Sequence, residues 1–346
     1  MKYGILTFHN IPNIGALLQA YSLCKAVRSF GADCEIIDYK CDKIEERELI
    51  YKRRPNILKD LILRAFWHKT KKKIKLCQAY MRSKHVYSEK TYNASNINQA
   101  NKEYDCFISG SDMIWNLEIT GHDFNFLLSF ADNEKNKFSY GSSIGDKWNS
   151  KDIDKVKCLL SRYNALSARE KDTCNNIESM GLKCKHVIDP TMLIRTEDWV
   201  TEAIGPKYKG YVLLYFTSKE IIKSARKYAK KHRLKIVHIT TEISRPGIIS
   251  VSPNTPPEWI GLFLKADAIF TNSYHGLLFS LYFKKPVWTA NYGNRITSLL
   301  ETLNITHRLL KKDLTLQSSI DYNDITKKIE LLRQDSLNYL KNALCL

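Results

Sequence analysis

His275 is the residue in this sequence best suited to acid–base or anion chemistry. It follows an apolar run at 268–270 that predicts a buried strand, and it precedes an apolar segment at 277–283 that predicts a buried helix. Such a strand-to-helix turn places the polar residues Asn272 and Ser273 at the carboxyl edge of a parallel sheet. Open α/β sheets bind ligands at that edge, and helix N-termini there favour anions. His275 could equally be a core histidine whose ring nitrogens are both hydrogen-bonded.

Two further polar turns follow predicted strands. The strand predicted at 104–109 runs into Gly-Ser-Asp, so Asp112 would stand at a carboxyl edge with Asn116 close behind it. The loop after the first predicted strand, 2–7, brings Asn13 to the same kind of edge. Asp112 could instead close a turn or cap a helix, which is a common use of aspartate.

The alternation of strands and helices predicts an α/β protein with two Rossmann-like β/α domains facing a cleft, as in the GT-B architecture. We place an N-terminal domain at 1–190, a C-terminal donor-binding domain at 191–320, and a final helix at 321–346 that could pack back on the first domain. A chain of 346 residues fits two such domains. The sequence has no GxGxxG and no Walker A lysine, which disfavours dinucleotide-binding and P-loop functions.

Basic residues are concentrated in one segment. The net charge is +18, and between Lys43 and Lys90 fifteen Lys and Arg residues oppose five Asp and Glu residues. We interpret residues 43–90 as a basic helical insertion with an apolar stripe, formed by Leu58, Leu61, Ile62, Ala65 and Phe66. Such a helix suits an anionic membrane surface, while nucleic acid is disfavoured because no nucleic-acid motif accompanies the charge. It could also be a solvated face that aids solubility.

Cysteine usage and hydropathy indicate a cytoplasmic protein. No apolar run approaches the roughly 20 residues that span a membrane, and the N-terminus is typical of a core strand rather than a secretion signal. Nine cysteines, odd in number and without a CxxC pair, indicate reduced thiols. We find no cluster of metal ligands in the sequence, so no metal site and no cofactor are predicted.

Six motifs each lie at the end of a predicted strand. They are Asn-Ile-Gly at 13–15 with Leu-Gln-Ala-Tyr at 18–21, GSDMIWN at 110–116, SYGSSIG at 139–145, SAREK at 167–171, IDPTML at 188–193 and TNSYHG at 271–276. In this order, the motifs resemble the polysaccharide pyruvyl transferase family. The resemblance extends from residue 2 to about 310 and is interrupted by the basic segment.

This resemblance implies transfer of the pyruvyl group of phosphoenolpyruvate to a sugar of a cell-surface polysaccharide or its lipid-linked precursor. It also implies that Arg169, in the Ser-x-Arg-Glu motif, binds the donor, although Arg169 could instead pair with a neighbouring acid. His275 would be a phosphate ligand or a general acid. We expect both residues to face one anion pocket. Asp112 is our candidate base on the sugar side.

The family that this chain resembles has Arg two positions before the histidine that corresponds to His275. This chain has Ser273 there. We expect Arg295 or Arg308 to supply the missing positive charge. Asn272 and Ser273 would add polar contacts to the donor, and Asn13 and Asn116 would contact the acceptor.

Two alternatives remain open. One is a metal-independent GT-B glycosyltransferase that uses a nucleotide-sugar, although no acid placed to hold a ribose follows the TNSYHG motif. The other is a non-catalytic basic adaptor whose binding depends on residues 43–90.

The peripheral location expected for the enzyme is the inner face of the cell membrane, where lipid-linked precursors are found.

Overall fold

The computed structural model of the chain describes residues 1–51, 57–145, 147–241, 245–290, 293–310 and 320–346. Within its helices, the side chains at 57–59, 61–63, 65, 66 and 294 lie outside the description. The chain divides into two compact units. Unit 1 comprises Met1–Pro55, Cys77–Ile194 and Leu331–Leu346, and unit 2 comprises Asn56–Leu76 and Arg195–Glu330. Unit 1 is therefore discontinuous in sequence.

Among the described residues of unit 1, five parallel strands form one sheet in the order β3-β2-β1-β4-β5. A further parallel pair, β6 and β7, lies in the same unit. Strands β1 and β4 are buried on both faces, which is typical of a parallel sheet covered by helices. The strands are β1 (Lys2–Leu6), β2 (Asp33–Lys40), β3 (Tyr87–Asn93), β4 (Cys106–Ser109), β5 (Asn136–Ser139), β6 (Ser167–Ala168) and β7 (Lys185–His186).

The helices of the first part of the chain connect these strands. Each of the connections is long enough for the parallel crossover that such a sheet requires. One helix, α3, contains the division between the two units. The helices are α1 (Ile14–Arg28), α2 (Asp42–Glu48), α3 (Ile57–Ser83), α4 (Leu117–Thr120), α5 (Ile153–Leu160) and α6 (Lys171–Glu178).

The described part of unit 2 contains a second parallel sheet, in the order β10-β9-β8-β11-β12. Its strands are β8 (Tyr211–Tyr215), β9 (Lys235–Ile239), β10 (Ile249–Val251), β11 (Ala268–Thr271) and β12 (Val287–Trp288). The central strands β8 and β11 are fully buried. The remaining helices are α7 (Thr196–Glu202), α8 (Lys219–His232), α9 (Pro256–Lys265), α10 (Tyr274–Tyr282), α11 (Asn294–Thr302) and α12 (Tyr322–Ala343).

The segment interpreted as a basic helical insertion at 43–90 is only partly helical. Its helices α2 and α3 end at Ser83, and β3 follows as a strand that pairs in parallel with β2. Only Ser88 and Tyr92 of β3 are buried, which suits the edge of a sheet, and the many polar residues of the strand concealed it in the sequence. The predicted apolar stripe of α3, at Leu58, Leu61, Ile62, Ala65 and Phe66, lies outside the described side chains.

Helix α3 does have a buried face further along. Ile74, Cys77 and Met81 are all buried, and their spacing of three and four residues places them on one side of the helix. Gln78 donates a hydrogen bond to Asn10 in the loop after β1. Within the described residues, no helix is both long enough and apolar enough to cross a membrane.

Hydrogen bonds attach the end of α12 to unit 1, among them one from Lys185 in β7 to Asp335. The Tyr3 hydroxyl donates to the Leu344 carbonyl at 2.9 Å, and the Ile188 amide donates to the Ser336 hydroxyl at 3.1 Å. The Tyr339 hydroxyl reaches the carbonyl at the end of β5 at 3.4 Å. These contacts explain why the last residues of the chain belong to the same unit as the first.

Candidate functional site

The predicted site residues lie in two groups, one in each unit. In unit 1 the turn after β4 is held from two sides. The Thr7 hydroxyl donates to the Ser111 carbonyl at 3.0 Å, while the Ser111 amide donates to the Gln19 side chain at 3.1 Å. The Gln19 amide in turn donates to Thr7 at 2.9 Å. Gly110 is required here, because its φ is +143° and a Cβ would approach the Tyr140 carbonyl oxygen to 2.2 Å. This turn fixes the position of the next residue, Asp112.

Arg169 lies among three carboxylates. Its Nη2 donates to Asp112 at 2.9 Å, its Nη1 to Asp189 at 2.8 Å, and its Nε to Glu170 at 2.9 Å. The Arg169 side chain has no solvent exposure. The same oxygen of Asp112 also accepts from the Met113 amide at 2.9 Å. Arg169 is therefore the centre of a buried ion network, which is the alternative that the sequence left open.

The network determines what Arg169 can do. Each of its three donor nitrogens faces a carboxylate, so a ligand anion would compete with groups of the same charge. Glu170 and Asp189 escaped the sequence prediction, although both lie in the quoted motifs. Each residue follows a short strand, β6 or β7, at the edge of a parallel sheet. That position was the feature of the sequence that could have identified them as site residues. In the described part of the chain, no group of His, Cys, Asp and Glu residues is arranged to hold a metal.

His186, in β7, lies behind this network. Its Nε2 is 3.2 Å from the Arg169 carbonyl oxygen, so it is the donor of that hydrogen bond. Burial lowers the pKa of His186, and the contact with the Arg169 carbonyl opposes that effect. Neutral His186 thus supports the backbone of Arg169 without adding a second positive charge to the network.

The two predicted acceptor contacts, Asn13 and Asn116, both cap helices. The Asn13 side chain accepts from the Gly15 amide at the start of α1, and Asn116 accepts from the Ile119 amide at the start of α4. Asn116 also donates to the Ile144 carbonyl at 2.9 Å. Asn13 is exposed, so its amide group is accessible to a ligand. Asn116 has both ends of its side chain in structural contacts.

A buried pair that the sequence did not predict, His9 and Asp38, lies at the same edge. His9 Nε2 is 3.1 Å from Asp38, and its Nδ1 is 3.0 Å from the Thr7 carbonyl oxygen. The ring of His9 thus bridges the Asp38 carboxylate and the backbone after β1. Burial alone would raise the pKa of Asp38, but hydrogen bonds from His9 and Thr91 and the charge of Arg82 lower it to about 2.

In unit 2, Asn272 and Ser273 shape the turn between β11 and α10. Ser273 is the N-cap of α10, and its hydroxyl accepts from the Gly276 amide at 3.2 Å. Asn272 accepts from the Ala290 amide at 2.9 Å and so joins the ends of β11 and β12. An arginine at position 273 could not cap the helix in this way, because its side chain has no acceptor. Ser273 therefore gives this turn a helix cap and no charge.

His275 lies in the first turn of α10 and is 5% exposed. It packs edge-on against Tyr274, with ring centroids 5.5 Å apart. The helix starts close to the sheet, since a Cβ on Gly276 would meet the Thr271 hydroxyl at 2.6 Å and the Tyr215 ring at 3.1 Å. The positive end of the α10 dipole therefore lies at the carboxyl edge of β11, as the sequence predicted.

The two candidate replacement cations differ in their surroundings. Arg308 is 2% exposed and lies over the Trp288 ring at 5.2 Å, and burial lowers its pKa. That position suits packing rather than ligand binding. Arg295 is only half-buried, in the first turn of α11. Of the two, Arg295 is therefore the better candidate for an anion contact.

Two parallel β/α units of this kind define an α/β protein of the GT-B type. Solved structures with this fold include the UDP-GlcNAc 2-epimerase of Neisseria meningitidis bound to UDP-GlcNAc, with TM-score 0.53, 11% identity and 100% of each chain covered. The Methanocaldococcus jannaschii UDP-GlcNAc 2-epimerase gives TM-score 0.51 and 12% identity, over 96% of this chain and 93% of that one. Arabidopsis thaliana UGT89C1 complexed with UDP-L-rhamnose gives 0.51 and 8%, over 99% of both. At these identities the likeness concerns the fold alone.

The family model for polysaccharide pyruvyl transferase matches residues 13–294. This match covers most of the chain and both units, so the protein belongs to the polysaccharide pyruvyl transferase family, a family of transferases. A comparison with curated protein sequences finds no match. The predicted site residues Asp112, Arg169 and His275 all lie within the matched range.

Proposed function

We propose that this protein transfers the pyruvyl group of phosphoenolpyruvate to two hydroxyls of a sugar in a cell-surface polysaccharide or its lipid-linked precursor. The family match across residues 13–294 is the observation that carries the proposal. The turn between β11 and α10 lies inside that match and offers an N-terminal helix end with His275 in its first turn. No cofactor is required, because phosphoenolpyruvate is itself the activated donor.

The reaction forms a ketal and releases phosphate. Protonation of the donor's methylene carbon makes its neighbouring carbon electrophilic, and a sugar hydroxyl then bonds to that carbon. A second hydroxyl displaces the phosphate as the carbon–oxygen bond to phosphate breaks. Of the two hydroxyl protons, one is balanced by the new methyl hydrogen and the other leaves with phosphate. The protein must therefore hold a multiply charged anion and supply one acid and one base.

The donor phosphate is assigned to the N-terminus of α10. The helix dipole and the amides of its first turn attract an anion without a nearby side-chain cation. Ser273 fixes the first turn by capping it, and half-buried Arg295 is the candidate for the remaining charge. This arrangement accounts for the loss of the arginine that resembling sequences have at position 273.

His275 is the proposed acid. Imidazole titrates near neutral pH, so it can give a proton to the methylene carbon and recover it from solvent or product.

Asp112 is a weaker candidate for the base than its position in the sequence suggested. Its oxygen accepts from Arg169 and from the Met113 amide, and both contacts stabilise the carboxylate as an anion. The geometry favours Asp112 and Arg169 as a positioning pair that holds the turn after β4.

A binding and turnover assay tests the donor. The full chain is mixed with phosphoenolpyruvate, inorganic phosphate or a UDP-sugar and its melting temperature is measured, and phosphate release is then followed with candidate glycans. We expect stabilisation by phosphoenolpyruvate and phosphate release with the correct acceptor. His275→Asn should abolish release, and Arg295→Ala should weaken donor binding.

The matched controls are His232→Asn and Arg226→Ala, which alter exposed residues of the same unit away from α10. Both should leave donor binding and turnover unchanged. Stabilisation by the UDP-sugar and not by phosphoenolpyruvate would establish the alternative, a nucleotide-sugar glycosyltransferase. Full turnover in His275→Asn would remove the histidine from the mechanism while leaving the donor assignment intact.

We also propose that α3 holds the protein against anionic lipid headgroups, where lipid-linked acceptors are found. From Leu61 to Ser83 the helix has no acidic residue, and Lys71, Lys72 and Lys75 are exposed. The opposite face, with Ile74 and Cys77, is buried, so these turns contact headgroups and do not insert into the bilayer. Each lysine near such a surface contributes about 1 kcal/mol at physiological salt.

Vesicle sedimentation tests this contact. The chain should bind vesicles of phosphatidylcholine with phosphatidylserine, should not bind phosphatidylcholine alone, and should release in high salt. Lys71→Glu, Lys72→Glu and Lys75→Glu together should abolish binding. The matched control is the triple change to Glu at Lys223, Lys227 and Lys230, which are exposed on α8. Equal loss in both triple variants would reduce the effect to net charge and contradict a specific role for α3.

A further inference from the structure

Two cysteines in unit 1 lie in contact. Cys174 and Cys184 have their sulfurs 3.2 Å apart, and Cys184 is the donor of the weak hydrogen bond between them. Cys174 is buried in α6, and Cys184 immediately precedes β7. Both are free thiols in the structure. Nine residues separate them in the sequence, so no CxxC spacing revealed the pair.

The pair is reachable from solvent. An open pocket of about 840 Å³ lies beside the residues that lead into β6 and β7, and Cys184 lines it together with Lys183 and Tyr339. Cys184 itself is only half-buried. A small oxidant can therefore reach the sulfur of Cys184 first. Cys174 is the buried partner beside it. Oxidation of closely placed, accessible thiols is the usual basis of a reversible protein disulfide.

We propose that Cys174 and Cys184 are a modification site that a hydroperoxide converts to a disulfide and a dithiol restores. The sulfur of Cys184 attacks the peroxide, the O–O bond breaks, and Cys184 becomes a sulfenic acid as water (or an alcohol) leaves. The sulfur of Cys174 then attacks that sulfur, the S–S bond forms, the S–O bond breaks, and a second water is released. The peroxide takes up the two electrons that the two thiols lose.

The position of the pair connects it with the Arg169 network. Helix α6, which carries Cys174, begins directly after Glu170, and β7, which follows Cys184, leads to Asp189. Glu170 and Asp189 are two of the three carboxylates that hold Arg169. A disulfide would join the two segments that supply these carboxylates. Oxidation should therefore restrain the network, whatever reaction the protein catalyses.

The chemistry also predicts how the rate depends on pH. The hydrogen bond to Cys174 and burial raise the pKa of the Cys184 thiol. Since the thiolate is the nucleophile, oxidation should be slow at neutral pH and should accelerate as the solution becomes alkaline. This site would respond to sustained peroxide rather than to brief exposure.

Peptide mapping after peroxide treatment of the full chain tests the proposal. We expect a peptide pair linked through Cys174 and Cys184 that disappears on treatment with dithiothreitol. Free-thiol titration should fall by two equivalents in a background carrying Cys158→Ser and Cys345→Ser, which removes the exposed cysteines. Amide exchange in β6, β7 and the start of α6 should slow on oxidation. Cys184→Ser should prevent all three changes.

The buried neighbours Cys24 and Cys34 are the matched control. The Cys24 thiol donates to the Cys34 carbonyl at 3.3 Å, and both residues are fully buried. They should keep their thiols under conditions that oxidise Cys184. The proposal is overturned if Cys184 remains a thiol after prolonged peroxide treatment at alkaline pH, if it proceeds to sulfinic acid beside an unmodified Cys174, or if both pairs are oxidised at the same rate. Mapping the native chain gives this answer even if a serine variant fails to fold.

Discussion

The turns at the carboxyl edges of the two sheets are held in place by different kinds of side chain. In unit 1, charge adds to the neutral contacts of Thr7 and Gln19 at the turn after β4. Arg169 is buried among three carboxylates there, and His9 is paired with Asp38 nearby. In unit 2, the turn after β11 is held by neutral groups. Ser273 caps α10, and Asn272 joins the neighbouring strand end.

The difference indicates which edge can accept an anion. A guanidinium whose three nitrogens each donate to a carboxylate offers little to a phosphate, because the surrounding charge is negative. A helix N-terminus bordered by neutral side chains keeps its positive potential for a ligand. The comparison therefore supports our proposals that the donor binds at α10 and that Arg169 has a structural role. It also predicts that unit 1 depends on charge and pH, while the turn in unit 2 depends on close packing.

The largest effect is expected for Arg169→Met. The change leaves three buried carboxylates without their shared cation, and breaking a buried ion pair in this way costs about 3–5 kcal/mol. Chemical denaturation should show this loss at neutral pH, and part of it should return at low pH as the carboxylates become protonated. Glu170→Gln with Asp189→Asn should restore part of the stability in the Arg169→Met background.

The control is Arg47→Met, which removes an exposed arginine paired with Glu48 and should change the free energy of unfolding by less than about 1 kcal/mol. A stable Arg169→Met protein that no longer binds phosphoenolpyruvate would contradict the structural role. Arg169 would then be the donor ligand that the resemblance implies.

The Arg169 network shows where sequence reasoning stopped. The elements could be predicted, since apolar runs and helical periodicity located α8 and the strands on which both turns depend. The partners could not, because Asp112 and Arg169 are 57 residues apart and meet only after the sheet has formed. Strands β3 and β10 also escaped, as edge strands bury only part of their residues and carry little apolar signal.

A smaller effect, dependent on pH, is expected for Asp38→Asn. The pKa of Asp38 is about 2 in the folded chain against the ordinary value of 3.8 expected for the unfolded chain, which corresponds to roughly 2 kcal/mol of stability. Because the folded pKa is the lower one, this contribution is present above about pH 4 and is lost as the pH falls toward 2. Acid unfolding should thus be steeper in the native chain than in Asp38→Asn.

An exposed acid without buried partners, Glu178 in α6, is the comparison for this titration. Glu178→Gln should leave the slope between pH 4 and 2 as it is in the native chain. A free energy of unfolding that depends on pH in Asp38→Asn as it does in the native chain would mean that the His9–Asp38 pair does not stabilise the folded state. Only the Arg169 network would then support a role for charge at this edge of unit 1.

The smallest effect is expected for Gly276→Ala, and its sign tests the account of unit 2. In an ordinary helix this change stabilises by roughly 1 kcal/mol. Here the added methyl would approach the Thr271 hydroxyl to 2.6 Å, and that hydroxyl is held by the Ser273 amide at 3.0 Å. Overpacking costs about 1–3 kcal/mol, so a net loss near 1 kcal/mol is expected.

Gly205→Ala, which meets only the end of the Lys265 side chain at 4.0 Å, is the control and should not destabilise. A gain in stability from Gly276→Ala would mean that α10 can move away from β11 at little cost. Its N-terminus would then lack the fixed position that an anion site at this edge requires.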